Sequence, residues 1–149
     1  MKFIKPLFWN SKNIISIILF PLSIITLIIN ELKELESKKK FLIKTICVGN
    51  TYLGGTGKTS LAIEIQSLVK KKFKTVFIKK NYTDQLDEIN LLKKHGELIS
   101  KNSREEALHL ASKKKYELAI LDDGLQQKNI DYDLKIICFN AQDGFGNNY

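Results

Sequence analysis

The feature that most narrows the fold is a cluster of glycines lodged between a strand pattern and a helix pattern. Phe41 to Gly49 is a short run rich in apolar and β-branched residues, the signature of a buried strand. It leads into Asn50-Thr51-Tyr52-Leu53-Gly54-Gly55-Thr56-Gly57-Lys58-Thr59. From Ser60 to Val69 the pattern turns helical, with Leu61, Ile65, Leu68 and Val69 expected on one face. A strand, a glycine loop and a helix in that order form a phosphate cradle. The glycines let backbone N–H groups turn inward, with the helix N-terminus behind them. Gly54, Gly55, Thr56, Gly57, Lys58, Thr59 and Ser60 are therefore the expected nucleotide contacts. Lys58 would reach the β- and γ-phosphates, and the Thr59 hydroxyl would ligate Mg²⁺. The usual pattern has a glycine six residues before the lysine, where this chain has Tyr52. The plainer alternative is a glycine turn that binds nothing.

A second apolar run, Tyr116 to Leu121, ends in Asp122-Asp123-Gly124-Leu125-Gln126-Gln127. An acidic residue at a strand end beside a phosphate loop holds the metal ion in proteins of this kind, a role open to Asp122 or Asp123. A solvated Asp-Gly turn is the competing reading. Between the two motifs the pattern predicts a strand over Lys74–Lys79, a helix from Asp84 to Lys94 stopped by Gly96, and a strand over Glu97–Ser100. Ser103 and Glu106 have capping-box spacing and predict a helix running to Lys113. Leu134 to Cys138 supplies a last strand. Strands alternating with helices imply an α/β fold, a mostly parallel sheet covered by helices on both faces, P-loop NTPase-like. Ligands of such sheets bind at the carboxyl ends of strands, where both motifs fall.

Ahead of this domain lies the most apolar part of the chain. No residue from Asn13 to Asn30 is charged, and Lys2, Lys5 and Lys12 with Phe8 and Trp9 precede it. About 20 apolar residues are needed to span a bilayer, so this run is marginal, and Pro21 would kink it. It suits membrane contact, either spanning or interfacial, with a buried core helix as the alternative. Glu31 to Lys40 reads as a solvated linker, which puts the expected boundary between residues 1–40 and a P-loop domain over 41–149.

The 149 residues suffice for one compact domain with a real core. The formal net charge of +8 is spread along the chain and favours anionic partners. It has no accompanying aromatic stacking pattern, so nucleic acid is not an expected partner. Cys47 and Cys138 show neither metal-ligand nor redox spacing and are expected as buried free thiols. His95 and His109 are expected in surface or packing roles, and the lysine clusters 70–72 and 113–115 at helix ends.

Pro6, Trp9, Val48-Gly49-Asn50, the Gly54–Thr59 loop, Asp87-Glu88, Arg104 and Asp122-Asp123-Gly124-Leu125-Gln126 together resemble the lipid A 4'-kinase (tetraacyldisaccharide 4'-kinase) family. The resemblance implies ATP and Mg²⁺ as cofactors and a lipid A disaccharide 1-phosphate precursor as phosphoryl acceptor. It also implies work at the cytoplasmic face of the bacterial inner membrane. Asp87 would be the base toward the sugar hydroxyl, although by its position alone it reads as a charge complementing a helix dipole. The family commonly has Ser-Arg-Gly-Tyr where this chain has Lys79-Lys80-Asn81-Tyr82, and histidine where Gln127 stands. It also continues into a second domain, so a truncated kinase with a missing C-terminal half is expected. The alternatives are a membrane-associated P-loop ATPase or switch protein, which Leu53 disfavours for want of a second lysine, and an inactive nucleotide-binding fragment.

Overall fold

Among the described residues five short apolar strands pair side by side, each parallel to its neighbours. The computed structural model describes residues 14–34, 38–50, 57–81, 85–125 and 127–139. Its elements are α1 (Ile14–Glu34), β1 (Lys44–Asn50), α2 (Lys58–Val69), β2 (Thr75–Lys80), α3 (Leu86–His95), β3 (Leu98–Lys101), α4 (Arg104–Lys113), β4 (Leu118–Asp122) and β5 (Leu134–Cys138). The sheet order is β3-β2-β4-β1-β5, and every pairing is parallel. Each expected element exists, with bounds shifted by a few residues.

The side chains of a strand alternate between faces, and here the alternation sorts the core into two clusters. Cys47, Val76, Ile78, Ala119 and Leu121 meet Ala107, Leu108 and Ala111 of α4 on one face. Val48, Phe77 and Ile120 meet Ala62 of α2 and Leu92 of α3 on the other. The sheet is therefore covered on both sides, as the strand–helix alternation requires.

Several local expectations are corrected. Leu68, placed on the buried face of α2, is 70% exposed; the buried positions are Ala62 and Gln66, one helical turn apart. Ser103 is the N-cap of α4 but its side chain makes no capping hydrogen bond, so the capping box does not form. Cys47 is buried, and burial pushes its thiol up to about 11 against the hydrogen bond from the Gly124 backbone. Cys138 is only half-buried because β5 is an edge strand. β1 starts at Lys44 rather than Phe41, whose ring turns aside to meet His109 of α4 edge-on at 5.1 Å.

Helix α1 runs unbroken through Pro21, and its described apolar side chains, among them Ile14, Ile17, Phe20, Leu22 and Leu27, are exposed. The Ser23 and Thr26 hydroxyls donate to the carbonyls of Phe20 and Ser23, so neither is left free along this apolar rod. Among the described residues no helix is long and apolar enough to cross a membrane. Residues 1–13 lie outside the described part. The charged stretch read as a linker is helical as far as Glu34.

Lys39 then rejoins the sheet domain. Its amide donates to the Asn129 carbonyl, its carbonyl accepts from the Asp131 amide, and its ammonium pairs with Glu105 at 2.7 Å. Nearby, Asp133 accepts from the Thr45 amide and hydroxyl at 2.8 and 3.0 Å. The Lys39 hydrogen bond, opposed by burial, holds the Glu105 carboxyl below its ordinary range. For Asp133 burial pushes upward, but the two Thr45 bonds and Lys40 outweigh it and lower the carboxyl. Groups lowered in the folded state stabilise it above their unfolded values and lose that contribution as pH falls through the folded ones. Hydrogen-exchange protection of Lys39, Thr45 and Asp131 is thus expected to hold from neutrality down to about pH 4 and to drop below it, ahead of β2 and β4. Protection that instead declined as pH rose toward 8 would contradict these anchors.

Candidate active site

Strand parity decides which side chains meet at the carboxyl edge. Phe77 is in register with Ile120, and Val48 with Asp122. Two residues on from Phe77, Ile120 and Val48 stand Lys79, Asp122 and Asn50, so all three belong to the face that α2 and α3 cover. The same helices bring Lys58, Thr59 and Glu88 to that face by their first turns.

The start of α2 is built to receive an anion. Gly57 is its N-cap in a left-handed conformation with φ of 74°, where an L side chain would be strained. No side chain caps the helix and its first turn has no acidic residue. The free N–H groups and the positive end of the helix dipole therefore face outward without a competing carboxylate in the turn itself. Lys58 Nζ donates to Asn50 Oδ1 at 2.9 Å and pairs with Asp123 Oδ1 at 3.0 Å. Thr59 Oγ1 donates to Asp122 Oδ2 at 3.1 Å.

Opposite, Asp122 is fully buried at the end of β4. Its Oδ2 also accepts from Lys79 Nζ at 2.7 Å, while its Oδ1 is buried with no hydrogen-bond partner. An orphaned carboxylate oxygen beside a threonine hydroxyl fits a divalent cation that takes its other ligands from phosphate and water. The described residues contain no group of three or more His, Cys, Asp or Glu that could hold a metal by themselves.

Asp123 turns the chain away from the sheet with φ of 62°, left-handed and costly for a residue with a Cβ. The surroundings hold it there. Its amide donates to the Val48 carbonyl at 2.8 Å and its carbonyl accepts from the buried guanidinium of Arg104. The Gly124 carbonyl accepts from Tyr132 Oη at 3.0 Å. Glycine is required next because a Cβ at 124 would sit 2.7 Å from Cys47 Sγ and 3.2 Å from Tyr132 Oη.

Of the expected site residues, Lys58, Thr59, Asp122 and Asp123 come together, and Gly57 and Ser60 lie at the same helix start. Gly54, Gly55 and Thr56 lie outside the described residues. Asp87 is exposed in the first turn of α3, next to Glu88, whose carboxylate bonds to Lys79. Two participants escaped sequence reading. Lys79 seemed an ordinary strand-end lysine beside Lys80, yet it is buried and bridges Asp122 and Glu88. Arg104 served only as a family marker, and its contact with the Asp123 carbonyl depends on how α4 packs.

A glycine-flanked helix start and an acidic strand end, joined at the carboxyl edge of a parallel sheet, define a P-loop nucleotide-binding protein. Comparison with known proteins narrows this class. The sequence profile of the family described as Tetraacyldisaccharide-1-P 4'-kinase (LpxK) matches residues 15–149, and the chain belongs to that family. A tetraacyldisaccharide 4'-kinase of Pelagibacter ubique (strain HTCC1062) is 48% identical over 150 residues, covering 99% of this chain and 48% of that protein. One from Rickettsia canadensis (strain McKiel) is 32% identical over 167 residues, covering all of this chain and 51% of that protein. The crystal structure of the "apo" form of LpxK from Aquifex aeolicus in complex with ATP superposes with a TM-score of 0.71 at 25% identity, over 87% of this chain and 50% of that one. The chain thus spans about half the length of the curated relatives it matches.

The tight seat of Gly124 makes a direct prediction. Gly124→Ala is expected to lower unfolding free energy by roughly 1–3 kcal/mol in a denaturant titration, through overpacking against Cys47. Adding Cys47→Ala should restore part of the loss. A double variant no more stable than the single one would show that the two residues do not press on each other.

Proposed function

We propose that this chain is the nucleotide-binding half of an ATP-dependent kinase that phosphorylates the 4'-hydroxyl of a tetraacyldisaccharide 1-phosphate. The observation that carries the reading is the meeting of Lys58 and Thr59 with Asp122 and Asp123 at one sheet edge. Gly54 to Ser60 would wrap the phosphates, their N–H groups donating to phosphate oxygens. Lys58 would exchange its bonds to Asp123 and Asn50 for the β- and γ-phosphates, carrying its charge to where negative charge builds in transfer. Thr59 and Asp122 would hold Mg²⁺, with the orphaned Oδ1 as the natural ligand atom. Bound there, the ion would supply neutralisation of phosphate charge. Asp123, freed from Lys58, remains beside the transferring group as a second carboxylate.

Asp87 is the proposed base toward the acceptor hydroxyl. Its exposure in the first turn of α3 leaves it open to an incoming sugar, and the Glu88–Lys79 bond fixes the helical turn that carries it. The exposed apolar α1 would lie in the membrane interface at the cytoplasmic face of the inner membrane, bringing the domain to a lipid acceptor. Residues 1–40 would thus serve as a membrane-associating segment and 41–149 as the kinase domain. The remaining part of the acceptor cleft would come from a C-terminal half of the kind the longer relatives possess.

Transfer of labelled phosphate from ATP to lipid A disaccharide 1-phosphate tests this, with the chain alone and with a relative's C-terminal half added. ATP binding is expected in both cases and efficient transfer in the second. Lys58→Ala should reduce that transfer by at least ~100-fold. Undiminished transfer in this variant would place the nucleotide elsewhere. Deleting residues 1–30 should abolish sedimentation with vesicles, and continued sedimentation would remove α1 from the membrane role.

A further inference from the structure

Burying a lysine is expensive unless its charge is met by carboxylates, and Lys79 is met by two. Its side chain is 2% exposed, between Asp122 at 1% and Glu88 at 48%. Its Nζ donates to Asp122 Oδ2 at 2.7 Å and to Glu88 Oε2. Lys79 therefore places its ammonium beside the carboxylate that would ligate a cation.

Each of the two aspartates at the sheet edge has an ammonium beside it. Asp123 is paired with Lys58 at 3.0 Å and Asp122 with Lys79 at 2.7 Å. Both carboxylates that could attract a divalent cation already have an ammonium within ion-pair distance. A cation reaching Asp122 Oδ1 would also lie close to Lys79, whose ammonium holds the other oxygen of the same carboxylate. In a buried setting that repulsion is only weakly screened.

We propose that Lys79 is a positioning residue that reserves the cation site for a nucleotide-bound cation: it orients Asp122 and cancels its charge, so that a free divalent ion is not held. This rests on the nucleotide reading above. The phosphates would supply the missing negative charge and draw Lys58 off Asp123, after which the cation outweighs the repulsion from Lys79. Lys79 stays in place throughout, because its contacts to Asp122 and Glu88 do not involve the phosphate loop. The consequence is ordered entry, with cation and nucleotide arriving together.

Mn²⁺ titration of the nucleotide-free full chain, read by the electron paramagnetic resonance signal of free Mn²⁺, tests the idea. The unaltered protein should show no saturable site tighter than about 1 mM, consistent with neutralised carboxylates. Lys79→Met should create one site at least about tenfold tighter, lost again when Asp122→Asn is added. Lys79→Arg should behave as the unaltered protein. A lysine that merely supports the fold predicts lower thermal stability in Lys79→Met and no gain of Mn²⁺. Overturning results are a tight Mn²⁺ site in the unaltered protein, or a folded Lys79→Met with none. If Lys79→Met does not fold, the unaltered protein's titration decides. ATP binding is measured alongside. Its absence would sink the nucleotide reading, whereas ATP binding with a tight nucleotide-free Mn²⁺ site would sink only the role given to Lys79.

Discussion

The buried carboxylate of Asp122 is the constraint around which the rest is arranged. A charge at the end of a central strand, with no exposure, must be met by donors from neighbouring elements. Thr59 meets it from α2 and Lys79 from β2, and Lys79 in turn draws in Glu88 from α3. One side chain thus ties two strands and two helices at the carboxyl edge. Because all of them depend on the β2–β4 register, a one-residue slip would point Lys79 and Asp122 to opposite faces. The apolar pairs Phe77–Ile120 and Ile78–Leu121, all fully buried, fix that register and so protect the polar cluster above them.

The Asp123–Gly124 turn shows a second kind of dependence. Asp123 occupies a left-handed backbone position that it would not choose unaided, and the Arg104 guanidinium with the Val48 carbonyl over-determines it. The strained turn presents its carboxylate to Lys58. Gly124 then lets the chain pass close over Cys47 and beneath the Tyr132 hydroxyl. Packing on the α4 face therefore positions chemistry on the α2 face.

Much of this was legible from residues alone. The parallel sheet followed from apolar runs separated by helical patterns, and the two motifs fell at strand ends as such sheets require. What eluded the sequence was whatever depends on register or on helix rotation. Lys79 and Lys80 are identical as letters, and only strand parity buries the first. Leu68 has the right spacing for a buried face, but the sheet meets α2 through Ala62 and Gln66, where small size and a hydrogen bond to Thr75 suit the close approach. Ser103 and Glu106 have the spacing of a capping box, yet Ser103 stands at the N-cap without a side-chain bond to the helix, a matter of side-chain rotamer that spacing does not fix. The apolar character of α1 was plain in its composition, but whether the sheet domain would bury it was not, and its described side chains stand exposed.

The most direct measurement is a crystal structure of the chain with a non-hydrolysable ATP analogue and Mg²⁺. The γ-phosphate is expected within hydrogen-bonding reach of Lys58 Nζ and the α2 amides, at about 3 Å. The Lys58–Asp123 pair should be broken and Mg²⁺ should lie between Thr59 and Asp122. An analogue bound elsewhere, with Lys58 still on Asp123, would contradict the placement of phosphate transfer at this sheet edge.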